Sequence, residues 1–427
     1  MTAAIARFNR RTFSSLRYRN YRLFFSGQLV SQTGSWMQRI ALGWYILQLT
    51  HNNAFAVGIM AFAQFLPYSI FGLFAGVFTD RLDARRLVIA TQILQTVFAA
   101  VLTWIALGGI AQPWMLYVIA FLNGTVLVLD VPSRQQLTYR MVGRDTLPNA
   151  IALNSSLFNA SRIFGPSMAG IMLGFAGVGA CFLVNTISFF AVLIGLLAMR
   201  TRDFFPVEQF ERPQILAGTR EGIAYVRRQP RMLAVLGLTV ALSTFSFNFN
   251  VTLPVLAKLT LHGHGTVYGF LSAVFGAGAL AGALFAASRA RASTRVMISG
   301  ALVFTVAELL LGPAHNVYAA GGLLFLVGAG FTAWSANSNA SMQLAAPDHL
   351  RGRIIGLYFY AFNGTGPVAG LLAGWLCARG GTELAFVVAG IAGIAAVGAA
   401  GAALRRRPPI EIPRHAQVSA GTGISTS

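Results

Sequence analysis

The feature that most constrains the fold is a succession of apolar runs joined by short, arginine-rich connections. Runs of about 20 apolar residues cross the hydrocarbon core of a bilayer as single helices. Hydrophobic residues make up 56% of the chain and charged residues only 10%, whereas soluble domains carry roughly 25% charged residues. The sequence therefore predicts an all-α protein that spans a membrane many times and has the lipid bilayer as its environment.

Interpreting each long apolar run as one span predicts twelve transmembrane helices, six on each side of a polar central segment. The helices of the first half are predicted at 24–49, 56–78, 87–108, 114–132, 150–175 and 180–199. The helices of the second half are predicted at 232–260, 267–287, 296–311, 317–340, 354–378 and 384–404. The resulting domains are an N-terminal segment (1–22), two six-helix bundles (23–199 and 232–404), a linker (200–231) and a disordered tail (405–427).

The basic residues indicate how the chain is oriented. Most of the 32 lysine and arginine residues precede the first predicted helix or lie in alternate connections and in the tail. Because such residues are retained on the cytoplasmic side, both termini are expected in the cytoplasm of a bacterium, with the helices in its inner membrane. The net charge of +20 is explained by this asymmetry, which excludes a nucleic acid partner.

The central linker contains both charge signs and two prolines, which favours a solvated connection between the halves. The alternative is a short amphipathic helix over 218–231, lying on the membrane surface.

A motif of small residues occurs once in each half. Residues Gly165, Pro166 and Gly170 of the fifth helix recur as Gly366, Pro367 and Gly370 of the eleventh helix, about one six-helix half later. Small residues at this spacing let helices approach closely in lipid. The two halves are therefore predicted to be parallel repeats, with a binding site between them near the middle of the membrane.

Several motifs resemble those of the major facilitator superfamily. The connection Gly76-Val-Phe-Thr-Asp80-Arg81-Leu-Asp83-Ala-Arg85-Arg86 resembles the superfamily motif between the second and third helices, although Asp83 replaces its usual glycine. The Gly165-Pro166 motif resembles the antiporter motif of drug-efflux members. The stretches 35–42, 130–136 and 147–154 resemble the transmembrane secretion effector, or enterobactin-exporter-like, branch.

The resemblance implies that the charged connection latches the cytoplasmic ends of the two halves in the outward-facing state. An aspartate there could bind the first amides of the eleventh helix near Arg353, and Asp130 lies where Arg81 or Arg85 could reach it. The alternative is a solvated basic loop. The proposed gating residues are Gly76, Asp80, Arg81, Arg85, Arg86 and Asp130.

Polar side chains follow single faces of several apolar helices, as the lining of an aqueous cavity would. A charge at the centre of a membrane helix costs at least about 2.5–3.5 kcal/mol, so Arg39 and Arg162 are expected to face the bundle interior. The alternative is that these side chains only join helices by hydrogen bonds. The cavity candidates are Gln28, Gln32, Arg39, Asn123, Asn159, Arg162, Asn250, Asn337 and Asn363.

Secondary active export of a small amphipathic compound, a siderophore, drug or metabolite, is the favoured function, by alternating access of a monomer. Proton coupling is implied by the resemblance alone, because the buried acidic candidates are only Asp130 and Glu308, and Glu308 is expected to face the headgroups. The sequence contains no nucleotide-binding, catalytic or metal-ligand motif, so no enzyme activity, cofactor or metal is predicted. The alternatives are a proton-coupled importer and a non-transporting sensor or assembly protein.

Overall fold

The computed structural model describes residues 13–80, 82–206, 215–289, 292–347 and 350–405, and these residues form helices and connections without a strand. Most of the predicted N-terminal segment and the predicted tail from residue 406 lie outside the described residues. The first helix begins at Arg19, within the segment expected to precede it.

The first half contains six long helices. Helix α1 is Arg19–Leu49, α2 is Ala54–Asp80 and α3 is Ala84–Leu107. The helical segment Pro113–Phe175 turns back at Gly143, where φ is 71°. A positive φ is accessible to glycine without steric cost, and the turn divides the segment into α4 (113–142) and α5 (144–175). Helix α6 is Gly177–Leu197.

The second half begins after a short helix, α7, at Ile215–Arg228. Two of its spans are interrupted. One consists of α8 (Pro230–Phe245), α9 (Phe249–Val255) and a final π-helical turn, Leu256–Thr260. The uninterrupted helices are α10 (Gly265–Ala287), α11 (Thr294–Leu311) and α12 (Val317–Ala345).

The other interrupted span consists of α13 (Arg351–Asn363) and the first part of the segment Gly366–Arg405. This segment turns back at Gly380 and Gly381. We call its two parts α14 (366–379) and α15 (382–405).

Nine segments of the described chain are long and apolar enough to cross a membrane. Two of them, Pro113–Phe175 and Arg351–Arg405, turn back at glycines and each hold two spans. Helix α1 is not among the nine, because glutamines and an arginine interrupt its apolar residues. With α1 included, the described helices accommodate the twelve expected crossings.

One sequence-based boundary is wrong, and two spans contain breaks that the sequence did not predict. Helix α4 continues about ten residues beyond Pro132, because its polar residues there contact other helices and are shielded from lipid. The seventh span breaks between α8 and α9, and the eleventh between α13 and α14. The linker contains helix α7, so the interpretation of this region as solvated connection alone is also wrong for its second part.

The helix ends form two faces with different composition. At one of them, which we call the basic end, a guanidinium nitrogen of Arg19 donates to the carbonyl of Ala198 and Arg140 pairs with Asp83. The opposite face, the distal end, is formed by the connections 50–53, 108–112, 261–264, 312–316 and 380–381. Between the two ends the outward-facing side chains are large and apolar, among them Trp104 and Ile194, each 67% exposed. These side chains form a surface suited to lipid.

Candidate functional site

Asp83 joins helices α3 and α4 at the basic end. One carboxylate oxygen, Oδ1, accepts a hydrogen bond of 2.9 Å from the backbone N–H of Arg86 and so caps α3. The other, Oδ2, lies 2.6 Å from Nη1 of Arg140 on α4. Partial burial alone would raise the pKa of Asp83, but the hydrogen bonds from Arg140 and Arg86 outweigh it and lower the pKa below its ordinary value. The residue that departs from the superfamily motif therefore anchors this connection within the first half.

The remaining residues of the connection are only partly described. Nε and Nη2 of Arg85 donate to the carbonyl oxygen of Leu196, at 3.1 and 2.9 Å, and so bind the last turn of α6. A cation at this position also complements the helix dipole. Gly76 is described only as part of the α2 backbone. The side chain of Asp80 and the whole of Arg81 lie outside the described residues. Arg353 lies in the first turn of the eleventh span, and its guanidinium pairs with Glu221 of α7.

Asp130 is committed to a buried network on α3 and α4. Its carboxylate accepts hydrogen bonds from the Thr91 hydroxyl at 2.6 Å and from Nε of Arg134 at 2.5 Å. Nη2 of Arg134 donates in turn to the side-chain oxygen of Gln92 at 2.8 Å. Asp130 is only 3% exposed, so the expected pairing with Arg85 is replaced by a pair one helical turn away. Sequence reasoning missed Thr91 and Gln92, which resemble ordinary polar residues of a span.

The repeated glycine motifs lie on seams between the two halves. A Cβ atom on Gly170 of α5 would lie 2.8 Å from the Cα atom of Gly269 on α10. On the other seam, a Cβ atom on Gly374 of α14 would lie 2.7 Å from the Cα atom of Gly58 on α2. Real Cβ atoms do not approach backbone this closely, so only glycine permits the observed packing.

The other motif residues extend these contacts. Gly165 packs against the Cβ atom of Trp36 on α1, and Gly370 lies against Ala61 of α2. Gly366 contacts the ring of Phe65, and both prolines, Pro166 and Pro367, are buried. The tightest glycine contacts between the halves thus lie between the middle of the molecule and its distal end, where the two halves are sealed together.

Two arginines of the first half lie against the indole ring of Trp36. The guanidinium carbon of Arg39 is 4.5 Å, and that of Arg162 6.0 Å, from the ring centroid. Arg162 also lies over Phe275 of α10, at 4.7 Å, and over Phe331 of α12, at 5.6 Å. Arg162 is 9% exposed, and within the described chain its Nε has no hydrogen-bond acceptor. Arg162 therefore lies at the interface between the halves, near the middle of α5, and Arg39 shares its tryptophan.

The second half meets this site with an aromatic cluster. The rings of Phe247 and Phe331 stack with centroids 4.4 Å apart and an interplanar angle of 8°. Phe362 lies 5.3 Å from Phe247, and Phe249 lies 4.7 Å from Phe275. The cluster is built where α8 ends and α9 begins, so the interruption of this span turns Phe247 towards α12 and α13.

A small pocket adjoins the aromatic cluster and is bounded by both halves. Asn250 of α9 and Asn363 of α13, two predicted cavity residues, contribute to its lining together with Phe247 and Phe362. Ala61 and Phe65 of α2 form the side contributed by the first half. Phe331 stacks on Phe247 and lies under Arg162, so the pocket and Arg162 share one aromatic wall.

The other predicted cavity residues are less closely associated with this wall. The side-chain oxygen of Asn337 accepts a hydrogen bond from the backbone N–H of Ser293, and its side-chain nitrogen donates to the carbonyl of Ala333, so this amide fixes the start of α11. The amide of Asn159 donates to Ser155 of its own helix. Gln28 is buried on α1, whereas Gln32 and Asn123 are partly exposed.

One further polar pair was missed by sequence reasoning. The amide nitrogen of Asn185 on α6 donates to the side-chain oxygen of Gln38 on α1 at 2.7 Å. Both side chains lie in apolar runs, where only their contact in the fold identifies them as partners.

Glu308 is an isolated acidic group in the second half. It was expected to face the headgroups, which is wrong, since the side chain is 2% exposed. The hydroxyl of Ser246, at the break between α8 and α9, interacts with its carboxyl group. Among the described residues its Oε2 atom has no hydrogen-bond partner.

The described residues contain no group of three or more His, Cys, Asp or Glu side chains that could hold a metal ion. Cys181 and Cys377 are buried and unpaired with each other, as small apolar residues of helix packing often are.

The fold is that of known transporters. The structure superimposes on a POT family transporter solved in complex with 5-aminolevulinic acid, with a TM-score of 0.74 and 12% identity, covering 92% of this chain and 97% of that one. It also matches a D-xylose-proton symporter, with a TM-score of 0.71 and 14% identity over 92% and 99% of the two chains. Two six-helix halves of this arrangement, meeting at a polar and aromatic interface, are therefore the fold that this chain shares with these solved transporters.

Sequence comparison identifies the branch. A model of the transmembrane secretion effector family matches residues 10–414, and the chain belongs to this family. It is 24% identical to the staphyloferrin A transporter of Staphylococcus aureus over 86% of this chain and 92% of that protein. It is 27% identical to the multidrug efflux pump Tap of Mycolicibacterium fortuitum over 85% and 90% of the two chains. The chain is therefore a multi-pass membrane transporter of small molecules and not an enzyme.

Proposed function

We propose that this protein exports a small amphipathic compound across the bacterial inner membrane by alternating access. The observation that carries the proposal is the interface at Arg162, where this buried cation of the first half lies over two aromatic rings of the second half. Contacts that cross the interface at the depth of a binding site change whenever the halves rock against each other. The efflux described for the pump Tap and for a macrolide efflux protein of Streptococcus pyogenes supports the outward direction.

The proposed orientation places both termini and the basic end in the cytoplasm, by the positive-inside rule. The sealed distal end then faces outward, and the structure corresponds to an inward-facing state. The latch proposed for Asp80 and Arg81 closes in the outward-facing state, so in this state it is expected to be open. Arg353, at the predicted docking point of the latch, is engaged by Glu221 of α7 instead.

Proton coupling is part of the proposal, and Glu308 is its candidate group. Coupling requires a carboxyl group that binds and releases a proton as the transporter changes state. Asp130 already accepts two hydrogen bonds, one of them from the cation Arg134. Glu308 lies beside Ser246, at the interruption of the seventh span, where the backbone can rearrange. A break of this kind within a span is typical of ion sites in transporters.

Reconstituted proteoliposomes would test the proposal. An imposed pH gradient, applied to vesicles screened against siderophores and cationic and anionic drugs, should drive cargo against its gradient in exchange for protons. Cargo and protons moving in the same direction would establish the importer. If no cargo-dependent proton flux is observed in either direction, the remaining hypothesis is that the protein is a non-transporting sensor or assembly protein.

Asp80→Asn would test the latch within the same assay, with Asp203→Asn, at an exposed position near the basic end, as the matched control. We expect transport to fall with the protein still folded and still able to bind cargo. Unchanged transport in Asp80→Asn would remove the latch from the proposal. The proposed monomer is tested by the mass of the purified protein in detergent.

A further inference from the structure

The two arginines at the interface lie in an unusual electrostatic environment. Buried cations in proteins are normally paired with carboxylates. Within the described chain neither Arg39 nor Arg162 has a carboxylate within ion-pair distance, and the two guanidinium groups repel each other. The titratable side chains that interact with Arg39 are the phenols of Tyr68 and Tyr268, which are neutral. The site therefore carries two positive charges that the first half does not compensate.

The acidic residues that the structure describes are either paired with other side chains or lie far from Arg39 and Arg162 in the fold. Asp130 is bound to Arg134, and Asp83 to Arg140 at the basic end. Glu308 lies behind the aromatic cluster, against Ser246. An anion from outside the chain is therefore the group that could neutralise the site.

The geometry of Arg162 also leaves hydrogen-bonding capacity unused. Its Nε is buried and without an acceptor among the described residues, while its guanidinium carbon lies over the rings of Phe275 and Phe331. A guanidinium group held over rings in this way keeps its N–H edge available, and that edge matches the paired oxygens of a carboxylate, sulfonate or phosphate. The ring contacts supply packing but accept no conventional hydrogen bond from Nε.

We propose, on the basis of the proposed transport function, that Arg39 and Arg162 bind the negatively charged group of the cargo. The cargo is then an organic anion whose acidic group lies against Trp36 and whose apolar or aromatic body lies against Phe247 and Phe362, along the wall of the pocket. Because Arg162 also contacts two helices of the second half, binding of the anion would change the contacts that hold the halves in this state.

Equilibrium binding to the purified full chain in lipid nanodiscs tests the inference without any gradient. The probes are two pairs with matched ring systems and opposite charge: fluorescein against rhodamine 6G, and naphthalene-2-sulfonate against 2-naphthylmethylammonium. We expect at least one anion to bind about tenfold or more tightly than its cationic counterpart, since hydrogen bonds to a charged group contribute about 1.5–3 kcal/mol. Absence of binding by both anions, or equal binding of anion and cation in both pairs, would overturn the proposal.

Variants then locate the site. Arg162→Gln and Arg39→Gln should each weaken binding of the anion about tenfold or more while leaving the affinity for the cationic probe unchanged or increased. Arg162→Lys keeps the charge and should restore part of the affinity. Arg379→Gln is the matched control, because Arg379 also lies over a tryptophan, Trp375, but is exposed near the distal end.

If the arginines serve only to pack the two halves, both glutamine variants will melt at lower temperature and retain the affinity for the anion, which would also overturn the proposal. Should Arg162→Gln fail to fold, two measurements decide the outcome. They are the affinity of Arg39→Gln, a change at a partly exposed position, for the anionic probe, and the preference of the unmodified protein for the anionic over the cationic probe. A protein that binds the anions but moves no protons would contradict the proposed coupling and leave this inference standing.

Discussion

The guanidinium carbon of Arg162 lies 4.7 Å from the ring centroid of Phe275, although the two residues belong to opposite halves of the protein. A cation held over an aromatic face contributes about 0.5–2 kcal/mol, more when it is desolvated. Rocking of one half against the other would separate the pair, so this state is held in part by a contact that the transport cycle has to break.

Gly170→Leu should prevent closure of the distal end. The new side chain would meet the backbone of Gly269, and overpacking of this kind costs about 1–3 kcal/mol, which shifts a two-state equilibrium about 5- to 150-fold. Spin labels at Asn53 and His315, in distal connections of opposite halves, should then report a longer distance, and transport should fall. Gly237→Ala is the control, since no atom lies within 4 Å of its added Cβ. An unchanged distance in Gly170→Leu would show that the seam can be repacked.

Asp130→Asn should destabilise the first half. Removal of one partner from a buried ion pair costs about 3–5 kcal/mol, because the other charge remains buried, and Arg134 would keep only Gln92 as a partner in this network. The melting temperature in detergent should fall, and Asp130→Asn combined with Arg134→Gln should recover part of the loss. A double variant less stable than the sum of its single changes would contradict this account.

The contribution of Asp83 to stability should depend on pH. Its pKa is lowered in the folded protein by Arg140 and by the cap on α3. The stabilisation is therefore fully present above the unfolded pKa of about 3.9 and is lost as the pH falls through the lower folded value. The melting temperatures of the unmodified protein and of Asp83→Asn should differ at pH 7 and converge below about pH 4. A difference that grows on acidification would contradict the predicted sign.

Glu308→Gln should separate cargo movement from proton movement. Glutamine has nearly the shape of a protonated glutamate, so the variant should fold and exchange cargo between the two sides at equilibrium. Proton-driven accumulation of cargo should be lost, because the amide binds no proton in this pH range. Glu383→Gln, near the distal end, provides the control. Full gradient-driven transport by Glu308→Gln would remove this residue from the coupling mechanism.

The general architecture was accessible from the sequence because it follows from strong, local signals. Apolar runs of membrane-spanning length give the helices, and the recurrence of Gly165-Pro166 as Gly366-Pro367 gives the repeat. The structure places both motifs on seams between the halves, since small residues are what such close contacts require.

The sequence was a poor guide wherever a polar residue has a partner far along the chain. Thr91 of α3 and Asp130 of α4 are joined by a hydrogen bond. The predicted end of α4 at Pro132 marks the place where the sequence becomes polar, whereas the helix itself continues to residue 142. Asn337 has the residue type expected of a cavity but is used to anchor Ser293. Burial of Glu308 depends on packing around the break at Ser246, and the hydropathy of the sequence does not predict that packing.

The polar composition of α1 has a consequence for how the protein is made. Helix α1 is synthesised before the other described spans, yet it is less continuously apolar than they are, and Arg39 adds the cost of a charge. Some of its polar side chains find partners only after later helices exist, as Gln38 finds Asn185 of α6. We therefore expect α1 to enter the bilayer stably only after later helices have been synthesised, which glycosylation mapping of chains truncated after each span would detect.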